Sequence, residues 1–190
     1  MTTSDSWNAA AEVASRPLAP WAGLVWRAHN PRYQALDPGG ARKWSGRYNI
    51  GAQDQSGLQT ISGEVPDRWS ALYLALDEAG CIVEIIRHTT PERLASLNHS
   101  LTEIKVSLSR VLDCSDPAVV GRTMAHLCAP LDYRYTHALA LAAINRGTEA
   151  MLVPAATGMD KTNLIVFPDH LDPSSSLAIV RQVFPEWRLL

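Results

Sequence analysis

Paired cysteines are missing from this sequence: its three, Cys81, Cys114 and Cys128, are scattered with no CxxC spacing. Structural zinc is usually held by cysteines about two to four residues apart, so a zinc-built fold is excluded and small buried thiols in apolar surroundings are expected. The six histidines form no HxxxH or HExxH pair, the usual helical metal ligation. Charge of one sign is also missing. With 17 Lys+Arg against 19 Asp+Glu, the net charge of −2 argues against a broad electrostatic grip on nucleic acid or anionic membrane. No apolar stretch approaches the roughly 20 residues of a membrane span. The start, MTTSDSWNAA, carries no basic segment followed by an apolar block and does not read as a secretory signal, so a cytoplasmic location is expected. Neither GxxxxGK[ST] nor GxGxxG occurs, which removes the P-loop and the Rossmann fingerprint.

What is present suits one folded domain. At 190 residues and 46% hydrophobic, the chain can bury a sizeable core without disulfides or metal. Residues 1–20 read as a polar, Ala-rich lead-in, poorly ordered at its start, and residues 21–190 as a single domain. GLVWRA (23–28) reads as a strand closed by Asn30-Pro31, and Asp37-Pro38-Gly39-Gly40 as a turn. Residues 50–68 read as a long loop. ALYLAL (71–76) predicts a strand, with Asp77 capping a helix over 78–88 whose apolar face is Ile82, Ile85 and Ile86, with Glu84 near its edge. Ile104, Val106 and Leu108 alternate with polar residues as in a half-buried strand. Asp116-Pro117 predicts a helix to about Cys128, and a second helix runs from about Tyr135 to Arg146 and stops at Gly147. AMLV, NLIVF and SLAIV close the chain as short strands. The expected class is α+β, with short-stranded sheets and flanking helices.

Charged residues inside apolar, strand-like text are the informative ones, because burying a charge is costly unless it is paired or used. Arg27 lies in GLVWRA, Arg47 in KWSGRYN and Glu84 in CIVEII. Each alone fits a snorkelling side chain or a structural ion pair. Together, with Trp44, Tyr48 and Tyr73 near in sequence, they suit a ligand that carries a diphosphate and a flat ring. Guanidinium groups fork onto phosphate oxygens, aromatic faces stack, and a carboxylate can stabilise positive charge on a sugar. A nucleic-acid reading through Arg42, Lys43 and Arg47 is opposed by the net charge.

The order VWRAHNP, GGARKWSGRYN, ALYLAL, EAGCIVEI resembles the RES-domain family, the toxin halves of Xre–RES toxin–antitoxin pairs. KVSLSRVLDCSD, YRYTHALALAAINRGTEAMLVPAATG and NLIVF extend the resemblance over about residues 23–168. It implies a fold similar to ADP-ribosyltransferases and attack on the glycosidic bond of NAD, which is the substrate; no cofactor is implied. It places the family's arginines on Arg27 and Arg47 and its glutamate on Glu84, as catalytic residues. Its strand tyrosine falls on Tyr73, with Trp44 and Tyr48 as further substrate-binding side chains. The family's serine has no match; Thr136 offers the nearest hydroxyl, and Ala155 and Ala156 stand where some relatives carry Pro-Ser. NAD glycohydrolase, phosphorylase and ADP-ribosyltransferase activity all remain open, as does a catalytically silent, protein-binding version of the domain. A cognate Xre-like, DNA-binding antitoxin is the implied partner, and a homodimer is possible.

Overall fold

The strand β3 (Ser100–Asp113) organises the sheet, because its backbone pairs along both edges while its alternating side chains give it two distinct faces. Ile104, Val106 and Leu108 turn inward and are buried, while Lys105 and Ser107 face solvent, the period-two pattern of a sheet with one wet face. The computed structural model describes residues 8–53, 68–87, 89–94, 96, 98–130, 132–157 and 160–186. Along one edge β3 pairs antiparallel with β1 (Ala19–His29). Along the other it pairs antiparallel with β6 (Ser176–Val183) over Leu101–Ser107, and then parallel with β4 (Ala150–Pro154) from Val111 onward. β4 pairs with β5 (Thr162–Val166), β5 with β2 (Leu72–Ala75), and β2 returns to β1 where Trp26 faces Ala75. The order β1-β2-β5-β4-β3 therefore closes on itself as a small barrel-like ring, with β6 attached outside on β3.

Alternation along these strands sends side chains to two cores. Val25, Leu74, Ile104, Ala150, Leu164 and Val166 fill the inside of the ring. Met151, Val153 and Ile165 point the other way, onto α6 (Arg134–Asn145), where Leu139, Ala140 and Ala143 are fully buried. Each such Val, Leu, Ile or Met side chain contributes about 1.5–3 kcal/mol on burial. The helix ends where Gly147 takes φ 81°, a conformation that L side chains rarely adopt.

The elements match the sequence expectations in kind: the domain is α+β, with flanking helices around short strands. The differences have local causes. α1 (Ala9–Ala14) forms inside the expected lead-in, capped by Asn8, and buries Val13; residues 1–7 lie outside the described residues. β1 begins at Ala19, four residues before GLVWRA, because β3 is long enough to pair with it back to Val111. The turn at 37–40 leads directly into α2 (Gly39–Lys43), the Asp37 carboxylate accepting the Gly39 N–H at 2.8 Å. Most of the loop expected over 50–68, residues 54–67, lies outside the described residues.

The single helix expected from Pro117 to Cys128 is two short pieces. A 3-10 turn spans Pro117–Val120, Gly121 takes φ 64° and stops it, and Thr123 starts α5 (Met124–Leu127). α4 is a four-residue turn (Pro91–Leu94). Among the described residues, no helix is long and apolar enough to cross a membrane.

α3 (Glu78–Arg87) starts as the sequence indicates. Asp77 accepts the Gly80 N–H at 2.6 Å and pairs with Lys161 Nζ at 2.8 Å, which ties the helix to the start of β5. Its Ile82 and Ile85 pack with Trp26, Ala75, Cys81 and Leu101, whereas Ile86, expected on the same face, is 40% exposed. The buried stripe runs through Cys81 and Ile85, one turn apart, and Ile86 lies a further 100° around. The hydrogen bond from Lys161, then that from the Gly80 N–H, holds the Asp77 carboxyl below its ordinary pKa. A lowered pKa stabilises the fold at neutral pH, and this contribution disappears as the pH falls through the lowered value. Asp77→Ala should therefore cost about 1 kcal/mol at pH 7. In urea titrations the gap between variant and wild type should shrink as the solution is made acid.

Candidate active site

A cleft of about 590 Å³ opens where α3, β1, the segment after α2 and the start of α6 meet. That volume lies within the range of about 300–1,000 Å³ in which proteins hold small ligands. Cys81, Glu84 and Ile85 reach it from α3, at i, i+3 and i+4 on one helix face. Trp26 and Ala28 reach it from β1, and Asn163 and Ile165 from β5, each pair two residues apart on one strand face. Gly46, Arg47, Tyr48, Tyr73, His99, Tyr133 and Ala156 complete the part of the wall that matters here.

The segment carrying Arg47 is held from beneath by buried polar groups. Tyr73 Oη accepts the Tyr48 N–H at 2.8 Å and donates to Asn49 Oδ1 at 2.9 Å. Asn49 Nδ2 in turn donates to the carbonyls of Ala41 and Trp44, at 2.7 and 2.9 Å. A Cβ on Gly46 would stand 2.6 Å from Tyr73 Oη, and one on Gly51 would stand 2.5 Å from the Trp44 backbone, so both glycines are required by close approach. His137 Nε2 meets the Gly46 carbonyl at 2.7 Å. Arg47 itself donates from Nη1 to the carbonyls of Leu127 and Ala129, at 3.1 and 2.6 Å, and its guanidinium lies 5.1 Å from the Tyr133 ring centre. A cation over an aromatic face is attracted by the ring quadrupole.

Glu84 is half-buried, and the Asn163 amide donates to its Oε1 at 3.5 Å. Nearby, burial pushes the Cys81 thiol up to about 12, so it is protonated at neutral pH and is no nucleophile. Burial also pushes the Tyr73 hydroxyl far above its ordinary value, so it acts as a neutral donor and acceptor.

Four expected site residues, Arg47, Tyr48, Tyr73 and Glu84, thus line one cleft. The other expectations need correction. Arg27 does not line the cleft: it sits between Trp26 and Ala28 on β1, and its guanidinium donates to the carbonyls of Ala35 and Asp37, stapling the segment after β1. Burial lowers its pKa, as expected for a cation withdrawn from water. Trp44 is 57% exposed, lies outside the cleft and has Lys43 Nζ 5.2 Å from its ring centre. Tyr48 offers little stacking surface, being 1% exposed with its ring in the α6-side core. Thr136 is fully buried and donates to the Tyr133 carbonyl at 3.0 Å, so its hydroxyl supports a wall residue instead of facing the cleft. Ala156 does line the cleft, and supplies no hydroxyl there.

Sequence reasoning missed Trp26, Tyr133 and Asn163. Trp26 was legible from parity: on a strand, position 26 faces away from position 27, and only one of the two can look into a given cleft. Tyr133 stands just before α6, where no periodicity marks a direction, whereas Asn163 shares the Ile165 face of β5.

A family model described as RES domain matches residues 24–189. The chain belongs to the RES-domain family. Among curated proteins no sequence match was found. A chain in the crystal structure of the M. tuberculosis MbcT–MbcA toxin–antitoxin complex is similar to this RES domain, with a TM-score of 0.73 and 22% identity. The likeness covers 95% of this chain and 93% of that one, and at this identity it speaks for the fold.

The Tyr73 hydroxyl generates a direct test. Tyr73→Phe removes both of its bonds and leaves the Tyr48 N–H and Asn49 Oδ1 unmatched in a buried place. It should cost about 1–3 kcal/mol of stability, measured by chemical denaturation.

Proposed function

We propose that this RES domain is the toxin of a toxin–antitoxin pair and that it cleaves the nicotinamide–ribose bond of NAD. The observation that carries the reading is the meeting of Arg47 and Glu84, from distant parts of the chain, in one cleft with Trp26 and Tyr133 in its wall. A cation able to take a diphosphate, an anion able to face a sugar, and rings able to stack on planar groups are what a dinucleotide requires. The family membership and the M. tuberculosis toxin–antitoxin neighbour support the same reading.

In this mechanism Arg47 binds the diphosphate through guanidinium edges left over from its two carbonyl contacts, which use Nη1 alone. Glu84 faces the nicotinamide-side ribose, its Oε1 steadied by Asn163. The bond between C1′ and the pyridinium nitrogen breaks, and its electron pair goes to that nitrogen. Nicotinamide leaves neutral and needs no general acid, which fits a cleft where Glu84 is the one carboxylate among the described lining residues. The positive charge remaining on the sugar is stabilised by Glu84 until an acceptor adds to C1′ and gives up a proton. Water as acceptor gives ADP-ribose, phosphate gives its 1″-phosphate, and a protein side chain gives an ADP-ribosylated target. Arg27 acts in this scheme by fixing the segment after β1, not by touching substrate. Such an activity requires restraint in its own cell, and the partner proposed is a cognate antitoxin of the Xre-like, DNA-binding kind that covers the cleft.

Because Glu84 acts where cationic character develops, its loss should reduce turnover more than binding. Glu84→Ala should lower nicotinamide release from NAD by at least about 100-fold, and wild-type turnover in that variant would sink the assignment. Arg47→Ala should chiefly raise KM for NAD. Mass spectrometry of the products, with and without phosphate, identifies the acceptor.

A further inference from the structure

Among the groups that no expectation used, the buried His137 touches the Arg47 assembly from two directions at once. Its Nε2 stands 2.7 Å from the carbonyl of Gly46, the residue immediately before Arg47. A carbonyl oxygen only accepts, so Nε2 carries the proton and the tautomer is fixed by this contact. The same imidazole meets the Tyr133 ring edge-on, with centroids 5.8 Å apart and planes at 69°. Tyr133 is the ring over which the Arg47 guanidinium lies, at 5.1 Å. On its other side His137 packs against Trp69, at 6.2 Å and 86°, and Trp69 Nε1 donates to the Tyr48 carbonyl at 2.8 Å. Main-chain atoms of the residues before and after Arg47, together with the ring beneath its side chain, therefore refer back to one imidazole near the start of α6.

We propose that His137 is a positioning residue for Arg47: it fixes the place and direction of the guanidinium in the cleft without touching substrate. The inference rests on the NAD-cleaving reading and adds a requirement to it. Arg47 sits on an irregular segment that two isolated bridges, Gly46–Asn49 and Ile50–Trp69, define in place of a strand ladder. Its aim must come from tertiary contacts, and three of them pass through His137. A displacement of about 1 Å in a binding group can cost up to about 100-fold in rate, so holding this segment still matters.

The test compares His137→Gln, whose amide nitrogen can reach the Gly46 carbonyl, with His137→Asn, whose shorter amide cannot. Each is measured for nicotinamide release over a range of NAD concentrations, alone and in an Arg47→Ala background. If the wild-type chain does not release nicotinamide, the parent reading has failed and the role of His137 falls with it. If it does, His137→Asn should raise KM by about tenfold and lower kcat far less, while His137→Gln recovers most of the affinity. In the Arg47→Ala background, His137→Asn should add no further rise, because the group being aimed is gone. Equal KM values for the two amide variants would overturn the proposal, as would a KM effect that adds in full to that of Arg47→Ala. Should His137→Asn fail to fold, His137→Gln decides alone: KM near wild type supports the role, and a tenfold rise removes it.

Discussion

The Tyr73 hydroxyl is the contact on which the site most depends. It belongs to a partly buried side chain, it accepts the Tyr48 N–H and it donates to Asn49, whose amide continues to two further carbonyls. Individually such bonds contribute little net stability, about 1 kcal/mol each, but an unmatched buried partner costs more than the bond returned. The network is therefore close to all-or-none. It exists only because position 46 has no Cβ, since any other side chain would occupy the space of the hydroxyl. An irregular segment is thereby given the definition of a strand, and Arg47 is delivered to the same cleft that α3 reaches from another direction.

The ring of strands supplies the frame for this arrangement. β4 and β5 separate their faces cleanly, so that Ala150, Leu164 and Val166 close the ring while Met151, Val153 and Ile165 receive α6. α3 is attached by different means. Its apolar stripe meets Trp26, Ala75 and Leu101, and its first turn is tied through Asp77 to Lys161 beside β5. Glu84 is then carried at a fixed point on a capped helix. Arg47 and Glu84 thus owe their positions to different kinds of contact, a polar network for one and an apolar stripe with a capped first turn for the other.

Much of the fold was legible because its elements carry period-two or capped signals. The alternation at 104–108, the Asp77 and Asp116 caps and the Gly147 stop all correspond to observed features. The expected helix from Pro117 failed because Gly121 permits a left-handed turn that no apolar spacing announces. The site was legible in its charges, but less so in their directions. Arg27 has the same composition signal as Arg47, yet strand parity and the nearby carbonyls of Ala35 and Asp37 turn it to a structural task. Trp44 and Trp26 are equally aromatic in the sequence, and only pairing geometry shows that the second faces the cleft.

The partners of the two charged groups bear on what the cleft can do. Arg47 is held by neutral carbonyls and an aromatic face, none of which cancels its charge. Glu84 receives a neutral amide from Asn163. Had the two been fixed by pairing with each other, each would have been partly neutralised, and a ligand would have had to break an ion pair to enter. Holding the Arg47 guanidinium through neutral groups, with the Asn163 amide on the Glu84 carboxylate, orients both in advance for opposite ends of a dipolar substrate. Such preorganisation is obtained when the cleft is built and requires no rearrangement at the moment of reaction. The polar network under Tyr73 and the amide of Asn163 are neutral parts that make it possible.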